Sequence, residues 1–344
     1  MKFNTKCVHG GGQPDSTGAI SPAIYMSSTF THPGLGETTG FQYTRESNPT
    51  RDRLETLIAG LEEGTDAIAF SSGMAAVDAV FHLFSPGDHV ILGDDLYGGS
   101  IRLFTNIYEK NGVEFTYVGT SDLDAVQAAF KPNTKAVYIE TPTNPMMEIT
   151  DVRALSKMAH DRNALVIVDN TFLSPYFQKP LNLGADIVVH SGTKFIGGHH
   201  DVISGFTIVK NDDLAAQLRL IYKTVGACLS AFDSWLVIRG IKTLALRMEQ
   251  HQKNAIALAE WLKQEPKVTK VLFPGLPEHP GYEVNKSQTT GFGGMLSFEV
   301  DSEETAKQVL EGIQLIQFAE SLGGTESLLT YPVTQTHPDL KPED

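Results

Sequence analysis

The chain has 344 residues and a formal net charge of −14, with 41 acidic residues against 27 lysines and arginines. At this length we expect two domains and a large buried fraction of the chain. The negative charge argues against nucleic acid and anionic membrane as partners. No apolar run reaches the roughly 18 residues of a membrane span and the start has no apolar leader, so we expect a cytoplasmic protein.

The first 48 residues predict an N-terminal arm, because Gly, Ser and Thr are frequent there and leave little for a core of its own. Thr50–Leu61 predicts a helix that opens a large domain over residues 49–245, since its apolar residues fall on one face. The two cysteines, Cys7 and Cys228, stand alone without a CxxC pair, which indicates neither a disulfide framework nor a zinc site.

The first strand-to-helix turn is a candidate anion site. The predicted strand Ala67–Ser71 runs into Ser72, Gly73 and Met74, and a helix with an apolar face follows. Glycine at such a turn lets the main chain approach an anion, and the free N–H groups of the first helical turn point towards it. The same turn is also common as a simple helix cap, so its meaning depends on the rest of the chain.

Short apolar runs alternate with helical stretches such as Ser100–Lys110 and Asp151–Asp161. This alternation predicts an α/β fold with a mostly parallel, seven-stranded sheet covered by helices on both faces. The predicted strands are Ala67–Ser71, His89–Leu92, Phe115–Val118, Ala136–Glu140, Leu165–Asp169, Ile187–His190 and Phe206–Val209.

Two of these strands end in reactive groups. Leu165–Asp169 ends in an acid, and Ile187–His190 leads into Ser191, Thr193 and Lys194. Successive parallel strands deliver such groups to one edge of the sheet, where open α/β folds bind ligands. Pyridoxal phosphate needs a lysine for its Schiff base and a carboxylate on its ring nitrogen. Together with the anion turn, this order predicts a pyridoxal-phosphate enzyme.

The last third of the chain predicts a smaller domain. Asp212–Leu262 is mainly helical and leads into an α+β domain over residues 246–344, with predicted strands Val268–Phe273 and Met295–Glu299. The run His199–Asp201 suggests a metal. Neighbouring histidines on one loop rarely converge on one ion, and no further ligands are placed, so we predict no metal site.

Seven motifs in order make the chain resemble the cystathionine γ-synthase and γ-lyase family, pyridoxal-phosphate enzymes of Cys/Met metabolism with fold type I. The resemblance covers the chain from about Thr5 to its last residues. The motifs are Tyr43–Thr50, Ser71–Met74, Leu96–Gly98, Glu140–Pro145, Asp169–Phe172, Ser191–Gly198 and Glu320–Gly324.

The resemblance implies a role for each site residue. Lys194 would hold the cofactor and act as the mobile base, with Tyr97 as an acid–base partner, and Asp169 would pair with the ring nitrogen. The other implied cofactor contacts are main-chain N–H groups of Gly73 and Met74, hydroxyls of Ser191 and Thr193, stacking by Tyr97, Asn144 near the ring hydroxyl, and Tyr43 and Arg45 reaching from a neighbouring subunit. Glu320 and Ser321 would bind substrate.

The resemblance further implies small sulfur amino acids as substrates and a homotetramer built as a dimer of dimers. Glu320 favours a cystathionine γ-lyase or γ-synthase, and Gly99 counts against methionine γ-cleavage, where relatives have cysteine. Gln42 weakens the case for a cystathionine γ-lyase or γ-synthase, since many relatives carry an acid there to meet the distal amino group of cystathionine. Cystathionine β-lyase activity is therefore the nearest alternative.

Two further alternatives stay open. Relatives continue beyond Thr336–His337 with a tail whose arginine clamps the substrate carboxylate, whereas this sequence stops at Asp344. We therefore expect an incomplete C-terminal domain, and a cofactor-binding homologue with weak catalysis is one alternative. A nucleotide-binding oxidoreductase is a weaker one, because no GxGxxG motif follows a strand and no Walker loop is present.

Overall fold

The computed structural model describes residues 1–335, so Thr336 and His337 lie outside the described part. Its centre is a seven-stranded sheet with the order β1-β7-β6-β5-β4-β2-β3. β7 runs antiparallel to both of its neighbours, and all other neighbouring pairs are parallel. The mostly parallel seven-stranded sheet is thus confirmed. The strands are β1 Asp66–Phe70, β2 His89–Gly93, β3 Glu114–Val118, β4 Thr134–Glu140, β5 Leu165–Asp169, β6 Ile187–Ser191 and β7 Gly205–Val209.

The sheet is buried on both faces, as the apolar strands predict. Alternate residues of one strand enter two separate apolar layers: Val137 and Ile139 of β4 face one layer, and Ala136 and Tyr138 face the other. Burial of both layers is the main stabilising contribution, at roughly 25 cal/mol for each Å² of apolar surface removed from water.

Helices cover both faces. The helices of this part are α2 Pro49–Glu62, α3 Gly73–Phe81, α4 Gly98–Leu103, α5 Leu123–Ala129, α6 Val152–His160, α7 Ser174–Phe177, α8 Asp212–Val225, α9 Ala231–Ile241 and α10 Leu244–Leu262. α2 shows why such a segment becomes a helix: Pro49 occupies its first turn, and the Asn48 side chain accepts the Thr50 N–H at 2.9 Å.

Two predicted helical stretches differ in detail. The stretch Ser100–Lys110 begins two residues earlier as α4 and then becomes a π-helix, Phe104–Tyr108. The long helical region predicted after Asp212 is divided into three helices. The first division falls at Gly226, which has a left-handed φ of 87° and ends α8.

The first residues form a helix that the sequence did not predict, α1 Phe3–His9. It packs on α2, and Lys6 Nζ donates to the Gly60 carbonyl at 3.0 Å. Cys7 is buried there, and this burial raises the pKa of its thiol to about 11. Much of the following stretch lies on the surface.

The C-terminal part contains a second, small sheet in which β8 Val268–Leu272 runs antiparallel to β9 Ser297–Val300. α11 Tyr282–Gln288 and α12 Glu303–Gly312 accompany it, and β10 Gln317–Phe318 pairs in parallel with β11 Leu328–Leu329. None of the helices within residues 1–335 has the length and apolar character that crossing a membrane requires.

Candidate active site

The carboxyl ends of β4, β5 and β6 bring the predicted reactive groups to one edge of the sheet, which we call the carboxyl edge. Glu140 and Asp169 are direct neighbours across β4 and β5, and Asp169 pairs with Val189 of β6. Lys194 lies on the loop that leaves β6. The parallel pairing of successive strands explains this convergence.

Lys194 carries a half-buried amine. Its Nζ donates to Ser321 Oγ at 3.1 Å. Burial lowers the pKa of Lys194, while the nearby charge of Glu320 acts in the opposite direction. A lower pKa favours the neutral amine, which is the form that attacks an aldehyde.

The segment Glu320–Gly324, which we call the docking loop, lies directly on the loop of Lys194. A Cβ atom on Gly323 would come within 2.5 Å of the Phe195 nitrogen, so only glycine permits this approach. Ser321 adopts a φ of 134°, which is strained for a residue with a side chain. Ser321 thus adopts a strained conformation where its hydroxyl accepts the hydrogen bond from Lys194.

Asp169 is held by its neighbours as an acceptor. Its Oδ1 accepts the Thr171 N–H at 2.9 Å and the Thr171 hydroxyl at 2.6 Å, and Tyr138 donates to Oδ2 at 3.5 Å. Burial raises the pKa of Asp169, and the hydrogen bonds from Thr171 oppose this rise. Such donors favour the ionised form.

The anion turn lies beside the lysine loop. Ser72 caps α3 by accepting the Ala75 N–H at 3.0 Å. A Cβ atom on Gly73 would lie 2.9 Å from Ser191 Cβ, so glycine lets the N-terminus of α3 meet Ser191. A helix N-terminus, a neighbouring hydroxyl, a half-buried amine and a half-buried acid fit the phosphate, aldehyde and ring nitrogen of pyridoxal phosphate.

Thr193 has partners of its own. Its hydroxyl donates to the Ser204 carbonyl at 3.2 Å and accepts the Ser204 N–H at 3.1 Å. Its proton is therefore engaged within the chain, and the hydroxyl must turn before it can donate to a phosphate.

Tyr97 lies at the start of α4, with its main-chain N–H donating to Glu140 Oε2 at 3.1 Å. Its ring is 38% exposed and covers Gly99, where any Cβ atom would collide with it. Asn144 is half-buried in the turn after β4. These residues line the same edge as Asp169.

Tyr43 and Arg45 make other contacts. The Arg45 guanidinium lies 5.6 Å from the centre of the Tyr43 ring and donates to the Lys223 carbonyl at the end of α8. The Tyr43 side chain is 46% exposed. The contacts of both residues are thus with each other and α8 rather than with Lys194.

A buried polar network supports the carboxyl edge and was not predicted. His190 Nε2 and Glu62 Oε1 are 2.5 Å apart, and both side chains are fully buried. Asn170 donates to the same oxygen at 2.9 Å and bonds to Gln178. The network connects α2 to residues adjacent to Asp169 and Ser191, and therefore holds β5 and β6 in place.

Arg247 is a second residue that the sequence did not reveal. Its buried guanidinium donates to the Phe195 carbonyl at 2.6 Å, the Gly240 carbonyl at 2.9 Å and the Thr243 hydroxyl at 3.0 Å. A side chain on Gly198 would collide with it. Burial lowers the pKa of Arg247 to about 10, so it remains charged at neutral pH. Arg247 thus clamps the loop that carries Lys194.

Replacing Arg247 by methionine should lower the free energy of unfolding by about 3 kcal/mol, because buried carbonyls lose their donors. Urea denaturation of the apoprotein measures this loss. The matched control is Arg239→Met, at an exposed arginine on α9. Equal stability of the Arg247 and Arg239 variants would contradict a clamping role.

Residues 1–335 contain no group of three or more His, Cys, Asp and Glu side chains arranged to hold a metal ion. His199 instead contacts the Gly197 carbonyl through Nδ1 at 2.8 Å, and His200 faces Glu326.

Comparison with known proteins finds relatives over almost the whole chain. The sequence profile of the Cys/Met metabolism PLP-dependent enzyme family matches residues 4–344. A cystathionine beta-lyase of Lactococcus lactis subsp. cremoris is 48% identical over 342 residues, which cover 99% of this chain and 90% of the relative. A cystathionine gamma-synthase of Haemophilus influenzae is 49% identical over 340 residues, covering 98% and 88%.

Structural comparison gives the same result. The crystal structure of cystathionine gamma-lyase from Lactobacillus plantarum, complexed with L-serine, superposes with a TM-score of 0.98 and 46% identity. The match covers 100% of this chain and 90% of that one. Relatives named for three different reactions are thus almost equally similar, and overall identity does not rank these reactions for this chain.

Proposed function

Because the chain belongs to the Cys/Met metabolism family of PLP-dependent enzymes, we propose that it catalyses a reaction at the γ-carbon, either cleaving cystathionine as a γ-lyase or forming it as a γ-synthase. The observation that carries this proposal is the half-buried Lys194 amine, which donates a hydrogen bond to Ser321 and lies within the electrostatic reach of Glu320. β-Cleavage is the second candidate, because a similar relative is named for it.

Pyridoxal phosphate, when bound, accepts the electrons released as a bond at the substrate α-carbon breaks. Lys194 holds the cofactor and then moves protons at the α- and β-carbons, for which its lowered pKa suits it. Asp169 keeps the ring nitrogen protonated. Ser321 fixes the direction of the Lys194 amine through their 3.1 Å hydrogen bond.

The remaining cofactor contacts belong to the same proposal. Gly73 and Met74 offer N–H groups at the start of α3 to the phosphate, and the hydroxyls of Ser191 and Thr193 add further donors. The Tyr97 ring would cover one face of the bound cofactor, exclude water there and assist proton transfer. Asn144 would contribute to holding the cofactor and the substrate carboxylate.

Product analysis with cystathionine tests the reaction. γ-Cleavage releases α-ketobutyrate and cysteine, whereas β-cleavage releases pyruvate and homocysteine. A γ-synthase would instead form cystathionine from cysteine and an activated homoserine. A yellow protein that gives none of these products would contradict catalysis and favour a cofactor-binding homologue.

We expect Glu320 to favour γ-chemistry, because it is exposed and its charge acts on Lys194, so that it would lie within reach of the distal amino group of the substrate. We expect Glu320→Ala to lower kcat/KM for γ-cleavage about tenfold, equal to about 1.4 kcal/mol of transition-state binding. β-Cleavage should fall less. Glu326→Ala, at another exposed acid of the same region, is the control. Equal losses of γ- and β-cleavage in the Glu320 variant would limit Glu320 to a structural role.

The proposal includes assembly. With residues 1–48 as an arm, 49–245 as a cofactor-binding domain and 246–344 as a smaller domain, Tyr43 and Arg45 of one subunit hold the phosphate of the next. Their exposed side chains, which contact each other and α8 rather than Lys194, support this role. The active unit is then a dimer, and two dimers form a homotetramer.

Mixing the inactive variants Arg45→Ala and Lys194→Ala should restore activity, because a hybrid dimer has one intact site in two. Up to about a quarter of all sites regain function after random exchange of dimers. Subunit exchange is followed by native mass spectrometry, and each variant alone is the control. Exchange without restored activity would mean that Tyr43 and Arg45 serve their own subunit.

A further inference from the structure

A buried acid lies beside the half-buried Asp169, and the chemistry above does not use it. Glu140 is the last residue of β4 and is 6% exposed. It is paired in register with Asp169 of β5, so the two side chains leave the same face of neighbouring strands. None of the ion pairs seen within residues 1–335 includes Glu140.

Glu140 accepts a hydrogen bond from the main chain of Tyr97. Its Oε2 accepts the Tyr97 N–H at 3.1 Å, across 43 residues of sequence. That N–H lies at the N-cap position of α4, where Tyr97 makes no side-chain cap. The Glu140 carboxyl therefore anchors the main chain from which the Tyr97 ring extends over Gly99.

The partners of the two acids differ, and this difference decides which one is ionised. Asp169 receives two hydrogen bonds from Thr171 and one from Tyr138, all of which stabilise an anion. Glu140 receives one main-chain N–H and faces the charges of Asp169 and Asp95. Burial, with Asp169 next in effect, raises the pKa of Glu140 well above its usual value. Two adjacent carboxyls away from bulk water rarely both ionise, and Glu140 is the more buried and less hydrogen-bonded of the two, so the proton belongs on Glu140.

We propose that Glu140 is a positioning residue that acts in its protonated, neutral form. Its carbonyl oxygen holds the Tyr97 main chain in place, and because Glu140 is neutral, the negative charge of the pair lies on Asp169. This inference rests on the proposed function for the roles of Tyr97 and Asp169, but the protonation of Glu140 does not depend on cofactor or substrate.

Infrared difference spectroscopy of the apoprotein tests the protonation directly. Wild-type protein minus Glu140→Gln should show the C=O stretch of a protonated carboxylic acid at pH 7. Glu148→Gln, at an exposed acid just after the same strand, should leave that band in place. Absence of the band from wild-type protein would overturn the proposal. Should Glu140→Gln not fold, ¹³C NMR of wild-type protein labelled at the glutamate carboxyl carbons gives the same answer. The chemical shift of the Glu140 carboxyl carbon should be that of a protonated acid at pH 7.

The holoenzyme tests positioning. Glu140→Gln keeps the acceptor for Tyr97 and carries no charge, so visible circular dichroism of the bound cofactor, the pH midpoint of its absorption band and kcat/KM should stay within about threefold or 0.3 pH units of wild type. Glu140→Ala removes the acceptor, so the dichroism should fall and kcat/KM should drop about tenfold. If Glu140→Gln lost as much dichroism and kcat/KM as Glu140→Ala, the result would contradict a neutral Glu140. If wild-type protein bound no cofactor, the proposed function would fail while the infrared band persisted.

Discussion

Lys194→Ala should lose the covalent cofactor and lower kcat/KM with cystathionine by about 10⁴-fold or more, since general base catalysis alone contributes about 10²–10⁴-fold. The variant also loses the group that captures the cofactor aldehyde. Borohydride reduction of wild-type protein followed by peptide mapping should place the pyridoxyl group on Lys194.

Lys253→Ala is the matched control, because this lysine is exposed on α10. It should keep both the visible absorption and the activity of the wild type. A pyridoxyl group mapped to any lysine other than Lys194 would refute the assignment.

Asp169→Asn should lower kcat about 10²–10³-fold with a smaller change in KM, a range typical of a lost electrostatic group. Asparagine still accepts the two Thr171 hydrogen bonds but has no charge to keep the ring nitrogen protonated. Steady-state kinetics measure this effect, and the bound cofactor should remain visible.

Thr171→Val is the informative companion to this variant. The Thr171 hydroxyl lowers the pKa of Asp169, so its removal raises that pKa. Asp169 then becomes protonated at a higher pH as the solution is acidified, and the acidic limb of kcat should move to higher pH. An unchanged limb together with full activity of Asp169→Asn would remove Asp169 from the mechanism.

The strands were predictable because each is a short apolar run rich in β-branched residues. Leu165–Asp169 matches β5 in full, and the other sheet strands agree within two residues. Their order in the sheet was not predictable, since it depends on pairing between distant segments. β7, for example, enters antiparallel between β1 and β6, where Gly205 touches the main chain of Ser72.

The residues of the site also fall into those that the sequence predicts and those that it does not. The positions of Lys194 and Asp169 at the carboxyl edge could be predicted, because Asp169 ends a strand that the sequence reveals and Lys194 follows another. The role of Arg247 could not, because its contact with Phe195 bridges 52 residues and has no local pattern. Glu140 ends a predicted strand, but its contact with Tyr97 bridges 43 residues and could not be predicted. α1 was missed for a different reason: its seven residues are too few for a helical period to stand out.

During synthesis, Lys194 is made long before its partner in the docking loop. The two ends of the Lys194–Ser321 hydrogen bond are separated by 127 residues. At about 5–20 residues per second, this separation corresponds to about 6–25 s of translation. Over that interval the large sheet can form, while the amine lacks Ser321 and the cover that Gly323 provides. The large sheet can therefore be in place before Ser321 is made, and the Lys194–Ser321 hydrogen bond forms afterwards.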